Sequence, residues 1–262
     1  MTRVRLDQLL VDRELAPSRA AAQALLLAGE VELAGAGTRT LKPGQLVDRE
    51  AQLSVVARRR WASRAGGKLE AALDAFEVDP AGLACLDAGA STGGFTDVLL
   101  ARNARVVYAV DVGRGQLLDR LAHDPRVVSM ERTNLRALRR LPEPIYLATL
   151  DLSFISLGLV LPAVRELLGG GGQVIALVKP QFEAGRDAVP RGGVVRDPAT
   201  HRDVLLQFGA DASATGFSPS AVIVSPIVGT DGNREFLALL RPGDEPAPGW
   251  LSQVDRVAPS PV

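Results

Sequence analysis

Short apolar segments alternate with longer amphipathic segments from residue 68 to residue 240 of the 262-residue chain. The apolar segments have the length of buried strands, and the segments between them place apolar residues at helical spacing. The predicted strands cover residues 83–87, 105–112, 126–130, 145–150 and 173–178, and the predicted helices cover residues 68–76, 96–102, 116–123, 157–168 and 198–214. This alternation predicts an α/β domain with a parallel sheet and helices on both faces.

Two further strands are predicted after the last of these helices, over residues 220–227 and 236–240. A parallel sheet that ends in an adjacent pair of strands is the methyltransferase variant of the Rossmann-like, doubly wound fold. The proline-rich residues 242–262 carry little apolar pattern and are predicted to form a disordered tail.

The N-terminal residues have a different pattern, which predicts a small separate α+β domain. Leu6 and Leu10 mark the apolar face of a first short helix, and Ser18 can cap a second helix. Short strands at 31–33 and 52–56 follow, with glycine and proline turns between them. The predicted organisation is therefore a domain over 1–57, a basic linker over 58–67, a larger domain over 68–241 and the tail.

The segment 83–95, LACLDAGASTGGF, breaks from a strand into a glycine-rich turn at Asp87. Glycines in such a turn let a ligand approach the main chain, and Asp111 ends the next strand where a carboxylate can bind ribose hydroxyls. A dinucleotide site would need a glycine at Ser91, whereas sites for S-adenosylmethionine accept this looser turn. The candidate cofactor residues are Asp87, Gly89, Ser91, Thr92, Gly93, Gly94, Phe95, Asp111 and Asn134. A strand–helix turn without a ligand and the G-x-S-x-G elbow of hydrolases are the alternatives.

Composition limits the other classes of function. The formal net charge is +0, so no global charge attracts the protein to nucleic acid. Cys85 is the single cysteine and there are two histidines, which excludes an internal disulfide and disfavours a His/Cys metal site. No apolar run approaches the ~20 residues of a membrane span, and the first ten residues lack a signal-peptide core. A cytoplasmic protein without a metal is expected.

Four ionisable residues at predicted element ends form the candidate catalytic set: Lys68, Asp151, Lys179 and Glu235. Two lysines and two carboxylates at a cofactor cleft suit methyl transfer to a ribose hydroxyl. The 2′-hydroxyl is a poor nucleophile and needs a base or an electrostatic helper. A lysine beside a second cation and a sulfonium loses proton affinity and can act as that base, whereas arginine stays protonated. The expected roles are Lys179 as base, oriented by Asp151, and Lys68 as a cation on the ribose oxygen, positioned by Glu235.

Arginines near the N-terminus and around the linker are candidate RNA contacts. The set is Arg3, Arg5, Arg19, Arg59, Arg60, Trp61 and Arg64, with Arg13 and Arg39 as further basic residues of the first domain. Arginine contacts phosphates, and tryptophan can stack on a base. A solvated linker and a solvated helical cap are the alternatives. The polar loop 184–197 is a candidate lid or substrate loop.

These motifs resemble those of the TlyA, or hemolysin A, family, which is related to the FtsJ-type methyltransferases. The resemblance covers about residues 3–240 and depends on SRAGGKL at 63–69, LDAGASTGGFTD at 86–97, DLSFISL at 151–157, LVKPQFEAGR at 177–186, RGGVVRD at 191–197 and GNREFL at 232–237. The N-terminal segment also resembles the small RNA-binding domain of ribosomal protein S-four. The resemblance implies S-adenosylmethionine as cofactor, 2′-O-methylation of cytidine in ribosomal RNA of one or both subunits, and a Lys-Asp-Lys-Glu set that matches the four residues above.

Three other functions remain as alternatives. The chain could be a non-catalytic RNA-binding protein with a degenerate methyltransferase domain. It could be a serine hydrolase, because Ser91, Asp151 and His201 follow in the chain order of α/β-hydrolases. The name hemolysin raises a pore-forming activity, for which the sequence supplies no membrane-inserting segment.

Overall fold

The structure is a computed structural model, and it describes residues 3–27, 31–34, 41–55, 60–185, 188–229 and 232–259. The chain divides into two compact units, one over residues 1–60 and one over residues 61–262. The division falls inside the segment 58–67 that was expected to be a linker. Residues 61–67 therefore belong to the larger unit.

In its described residues, the first unit has two helices and two small antiparallel strand pairs. Its elements are β1 (Arg3–Arg5), α1 (Leu6–Asp12), α2 (Arg19–Leu27), β2 (Val31–Leu33), β3 (Leu46–Asp48) and β4 (Leu53–Val55). Strand β1 pairs with β3, and β2 pairs with β4. Leu6, Leu10 and Leu26 are buried between the helices, as the apolar stripe predicts. The pairing of β1 with β3 was not predicted.

A buried carboxylate, that of Asp7, organises the polar side of this unit. It accepts hydrogen bonds from Arg5 Nε at 3.0 Å, Arg19 Nε at 3.1 Å and Gln23 Nε2 at 3.0 Å. These donors, Arg5 first, hold the pKa of Asp7 far below its usual range. Arg5 and Arg19 therefore have a structural task in addition to their expected task as RNA contacts.

The second unit is built on a seven-stranded sheet in the order β10-β11-β9-β8-β5-β6-β7. Its strands are β5 (Ala84–Ala88), β6 (Val106–Val110), β7 (Val127–Met130), β8 (Ile145–Leu150), β9 (Leu168–Val178), β10 (Phe217–Val224) and β11 (Phe236–Pro242). Strands β5 to β9 are parallel, and β11 pairs antiparallel with both β9 and β10. The predicted α/β methyltransferase fold is confirmed.

Helices cover the sheet and bury its apolar side chains in two clusters. They are α3 (Ala65–Ala75), α4 (Gly94–Ala101), α5 (Asp119–Ala122), α6 (Leu161–Leu167), α7 (Pro180–Glu183), α8 (Pro198–Ala214) and α9 (Trp250–Val257). Helix α3 begins three residues earlier than predicted, so Lys68 lies in its first turn. Asp197 caps α8 by accepting hydrogen bonds from the N–H groups of Ala199 and Thr200.

The C-terminal segment is not the disordered tail that its prolines predict. Trp250 and Val254 of α9 are buried in the main core, where the Trp250 ring lies against Gly209 of α8. Gln253 also bonds the main chain of β10 at Ser220 and Val222. The apolar spacing of Trp250, Val254 and Val257 was the signal of this helix, and the prolines before it obscured that signal.

Candidate active site

The carboxyl ends of the parallel strands meet at one edge of the sheet, where a cleft of about 280 Å³ opens. Its volume is slightly below that of most ligand pockets, which is roughly 300–1,000 Å³. The cleft is lined by Ser63, Arg64, Ala65, Lys68, Gly89, Ala90, Ser91, Thr92, Gly94, Phe95, Asp151, Ser153 and Glu235. The turn after β5 thus faces three of the four candidate catalytic residues.

The turn after β5 depends on glycine where its main chain touches neighbouring segments. Gly89 has φ +85°, and a Cβ there would lie 2.3 Å from the carbonyl oxygen of Asp151. A Cβ on Gly94 would lie 2.3 Å from Ser63 Oγ. Larger residues at these positions would separate the turn from the segments that carry Asp151 and Lys68.

Asp111 lies just after β6 and joins two loops beside a second, smaller cavity. Its Oδ2 accepts a hydrogen bond from Ser91 N at 2.9 Å, and its Oδ1 accepts one from Gly113 N at 2.7 Å. Each carboxylate oxygen keeps a lone pair for another donor. This set of acceptors, beside a glycine turn, fits the ribose hydroxyls of a nucleoside cofactor.

Asp87 lies beneath the turn and does not line either cavity. It is fully buried, its Oδ2 accepts hydrogen bonds from Thr96 N at 2.8 Å and Thr96 Oγ1 at 2.6 Å, and its Oδ1 has no partner among the described residues. Burial raises the pKa of Asp87 to about 7, against the opposing effect of the Thr96 bonds. Asp87 therefore holds the start of α4 and changes its charge near neutral pH.

The four candidate catalytic residues form two ion pairs. Lys68 Nζ lies 2.5 Å from Glu235 Oε2, and Lys179 Nζ lies 2.6 Å from Asp151 Oδ1. Lys68 is 6% exposed, Lys179 8% and Glu235 3%, so neither pair is a solvated surface contact. Lys179 also donates to Ser153 Oγ at 3.2 Å, which places it against two residues that line the cleft.

A glutamate that was not singled out from the sequence fixes the loop after Asp151. Glu183 of α7 accepts hydrogen bonds from Ser156 Oγ at 2.7 Å and Leu157 N at 2.9 Å. Burial raises the pKa of Glu183, while these two bonds oppose that rise. Because α7 follows Lys179 directly, this contact fixes the segment that carries Lys179 relative to the loop that carries Asp151.

Phe154 was also not singled out, although it is the most exposed large apolar residue beside the cleft. It is 90% exposed and has φ +63°, which is strained for an aromatic residue. Its ring lies 4.9 Å from that of Phe182, in a tilted arrangement. An exposed apolar residue and a strained backbone together indicate a contact surface rather than a packing role.

The segment before Lys68 is fixed to the larger unit. Trp61 is half-buried and donates through Nε1 to Glu70 Oε2 at 3.2 Å, and Ala62 N donates to Asp97 Oδ2 at 2.7 Å. Arg64 is exposed and lines the cleft. Asp97 is also paired with Arg120. This segment therefore helps to hold the wall of the cleft in place.

The remaining predicted contacts lie away from the cleft or outside the description. Asn134 lines neither cavity; its Oδ1 accepts from Arg136 N and caps a short 3₁₀ helix over Leu135–Ala137. Arg3 is exposed on β1, and Arg60 is the last residue of the first unit. Arg59 and Arg39 lie outside the described residues.

The serine-hydrolase alternative is wrong, because its three residues are not assembled. Ser91 and Asp151 both line the cleft, but Asp151 pairs with Lys179. His201 is buried on α8, where Nε2 lies 2.9 Å from the carbonyl oxygen of Val195. Among the described residues, the Ser–Asp–His arrangement of a serine hydrolase is therefore not formed.

Comparison with known proteins identifies methyltransferases as relatives of this chain. A family model described as FtsJ-like methyltransferase matches residues 61–241. Bacillus subtilis YqxC, whose name proposes an rRNA methyltransferase, is 47% identical over 248 residues, which cover 92% of this chain and 86% of that protein. The 16S/23S rRNA (cytidine-2′-O)-methyltransferase TlyA of Mycobacterium tuberculosis is 46% identical over 245 residues, which cover 91% of this chain and 90% of that protein.

A solved structure agrees with these relatives. A Streptococcus thermophilus protein, described as a candidate hemolysin, has a TM-score of 0.75 and 42% identity, covering 98% of this chain and 96% of that chain. In the part of this chain that the structure describes, every helix is too short or too polar to span a bilayer.

Proposed function

The chain belongs to the FtsJ-like methyltransferase family, and we propose that it transfers a methyl group from S-adenosylmethionine to the 2′-hydroxyl of a cytidine in ribosomal RNA. This proposal rests mainly on two buried ion pairs, Lys68–Glu235 and Lys179–Asp151, which lie at the cleft beside the glycine-rich turn. Because its substrate is ribosomal RNA, the enzyme works where ribosomal subunits are found, in the cytoplasm.

The cofactor supplies an activated methyl group on its sulfonium sulfur when it is bound. Asp111 would accept hydrogen bonds from its ribose hydroxyls, and the turn from Gly89 to Phe95 would hold the rest against the cleft. The orientation of Asp111 by two N–H groups and the close approach of Gly89 to Asp151 support this assignment. Asn134, which caps a helix, is a weaker candidate.

The two lysines divide the work on the ribose hydroxyl. Lys179, oriented by Asp151 and Ser153, would take the 2′-hydroxyl proton once its own ammonium proton has been lost to solvent. Lys68, held by Glu235, places a cation beside the same oxygen. The 2′-hydroxyl proton would therefore end on Lys179.

Asp111→Ala is expected to weaken S-adenosylmethionine binding by roughly 1.5–3 kcal/mol, because it removes an ionised acceptor. Titration calorimetry measures this change. Asp203→Ala, which removes an exposed carboxylate on α8, is the matched control and should bind as wild type does. Tighter binding of NAD than of S-adenosylmethionine by the wild type would contradict the cofactor assignment.

Phe154 provides an exposed aromatic face beside Asp151 and Lys179 on which a base of the substrate can stack. Phe154→Ala should raise the KM for RNA or lower turnover by roughly 10-fold, since stacking contributes about 1–3 kcal/mol per base. Phe154→Tyr should keep the activity, and affinity for the cofactor should not change. Full activity of Phe154→Ala in steady-state methylation would remove the residue from the substrate site.

The first unit supplies further contacts to ribosomal RNA in this proposal, and Arg3 is its best test. Arg3→Glu should weaken RNA binding and reduce its salt slope by roughly 0.7–0.9 per lost phosphate contact. Arg5→Glu and Arg19→Glu should instead unfold the unit, because each places a carboxylate against buried Asp7. Binding at several salt concentrations, with circular-dichroism melting, separates the two effects; an unchanged slope for Arg3→Glu would make this unit a structural cap.

The proposed function is tested by mapping ribose methylation in ribosomal RNA from cells with and without the gene. One or more cytidine 2′-O-methyl groups should disappear in the deletion strain and return with the wild-type gene. Purified enzyme should then transfer labelled methyl groups to subunits from the deletion strain and not to subunits from the parent. Identical methylation maps in the two strains would refute the proposal, and the subunit that accepts label identifies the substrate.

A further inference from the structure

A buried amide, that of Asn233, joins two loops at the catalytic edge of the sheet. Asn233 is 0% exposed and lies two residues before Glu235. Its Oδ1 accepts a hydrogen bond from Val195 N at 2.9 Å, and its Nδ2 donates one to Gly193 O at 2.9 Å. A single side chain therefore satisfies both a donor and an acceptor of the loop main chain, as a neighbouring strand would do.

The loop that Asn233 holds, residues 188–197, has a second anchor on α8. Val195 is buried, and its carbonyl oxygen lies 2.9 Å from His201 Nε2. Burial lowers the pKa of His201, which favours the neutral ring with its hydrogen on Nε2 toward that oxygen. The two anchors fix the middle of the loop and leave its flanks at the surface.

The flanks of the loop carry Arg191 and Arg196, both exposed. Among the described residues, neither arginine forms an ion pair with a carboxylate. Some arginines elsewhere in this unit are paired, such as Arg102 with Asp74 and Arg126 with Asp124. Exposed arginines without carboxylate partners match the negative charge of an RNA backbone.

The other side of Asn233 leads to the catalytic pair. Its main-chain oxygen accepts a hydrogen bond from Gly229 N at 2.8 Å, and a Cβ on Gly229 would lie only 2.6 Å from Glu235 Oε1. The turn that Asn233 closes therefore packs directly on the carboxylate that holds Lys68. A shift of Asn233 would move the arginine loop and the Lys68–Glu235 pair together.

We infer that Asn233 is a positioning residue, which couples the RNA-contacting loop 188–197 to the Lys68–Glu235 pair. This inference rests on the proposed function and adds a link between binding of the RNA backbone and the catalytic geometry. Asn233 does not touch the reacting atoms. Its effect is to hold Gly193 and Val195 on one side and Glu235 on the other.

Asn233→Ala should lower single-turnover methylation at saturating RNA by ~10- to 100-fold, the scale of a small displacement of catalytic groups. Affinity for S-adenosylmethionine should stay within about twofold, and the Val195 amide should lose protection from hydrogen exchange while the β11 amides keep theirs. Gln253→Ala is the matched control, because Gln253 binds a main-chain N–H and C=O of β10 in the same way. This control should lower stability without lowering turnover.

Asn233→Asp keeps the size and the acceptor but places a second oxygen against the Gly193 carbonyl. Its turnover relative to wild type should fall as pH rises and recover toward pH 6, where a protonated carboxyl can donate to that carbonyl. The charged and titratable groups near position 233 include Glu235 with its partner Lys68, Arg234, His201, Asp197 and Arg196, and all of them are also present in the wild type. The ratio of variant to wild type therefore isolates the new carboxyl group.

Three outcomes have distinct meanings. Normal turnover of Asn233→Ala, or a ratio for Asn233→Asp that is flat with pH, would overturn the positioning role even if the wild type is fully active. Wild-type protein that transfers no methyl group to ribosomal subunits would instead refute the proposed function. If Asn233→Ala does not fold, the pH series of Asn233→Asp alone decides the inference.

Discussion

Lys179→Arg is expected to lose ~100-fold or more in the single-turnover rate of methyl transfer, the scale of general-base loss. Arginine keeps the positive charge beside Asp151 and can preserve the ion pair, but it does not release a proton at working pH. Affinity for S-adenosylmethionine should change little. Rapid-quench measurement with labelled cofactor and saturating ribosomal RNA isolates the chemical step.

Two comparisons separate the base role from a charge role. Lys179→Met removes both the proton acceptor and the positive charge. If Lys179 is the base, both Lys179→Met and Lys179→Arg should be inactive. If Lys179 acts only through its charge, Lys179→Arg should remain active. Lys68→Arg should be milder than Lys179→Arg, because holding an oxygen requires only a cation. Lys42→Arg in the first unit is the same substitution outside the site and should have no effect.

The pH dependence of the chemical rate is an independent test of the base role. With a base at position 179, the chemical rate should rise with pH through one ionisation and then level off, and Lys179→Arg should lack this rise. The ionisation of Asp87 can also shape this profile near neutral pH, because burial raises the pKa of Asp87 to about 7. The profile of Asp87→Asn must therefore be compared, and a rise that disappears in Asp87→Asn would assign the ionisation to Asp87.

The sequence predicted the sheet well because its central strands, such as β5 and β8, are almost fully buried and read as continuous apolar runs. The predicted strand over residues 145–150 has the bounds of β8, and the strands before and after it differ by a few residues at their ends. Charged or short elements were harder to predict. Arg3–Arg5 has no apolar run, and it becomes a strand only because β3 offers it hydrogen bonds.

The candidate site was predictable in composition but not in contacts. Lysine is rare in this chain, so Lys68 and Lys179 were conspicuous, and the strand ends placed Asp151 at the same edge. Asn233 and Glu183 act through hydrogen bonds to main-chain groups far away in sequence, at Val195 and Leu157. Such contacts depend on how loops approach each other, and no periodic pattern encodes that approach.

Glu235→Gln is expected to reduce both stability and activity, because it leaves the buried Lys68 ammonium without its carboxylate. Breaking one side of a buried ion pair costs roughly 3–5 kcal/mol, which denaturant unfolding of the full chain can measure. Asp255→Asn breaks the more exposed Arg202–Asp255 pair, and this control should cost about 1 kcal/mol or less.

The double variant Lys68→Met/Glu235→Gln removes the unpaired charge, so it should regain much of the stability. It should not regain methyl transfer, since no cation remains beside the ribose oxygen. Recovery of wild-type turnover in the double variant would show that this pair only supports the fold, and Lys179 with Asp151 would then carry the chemistry alone.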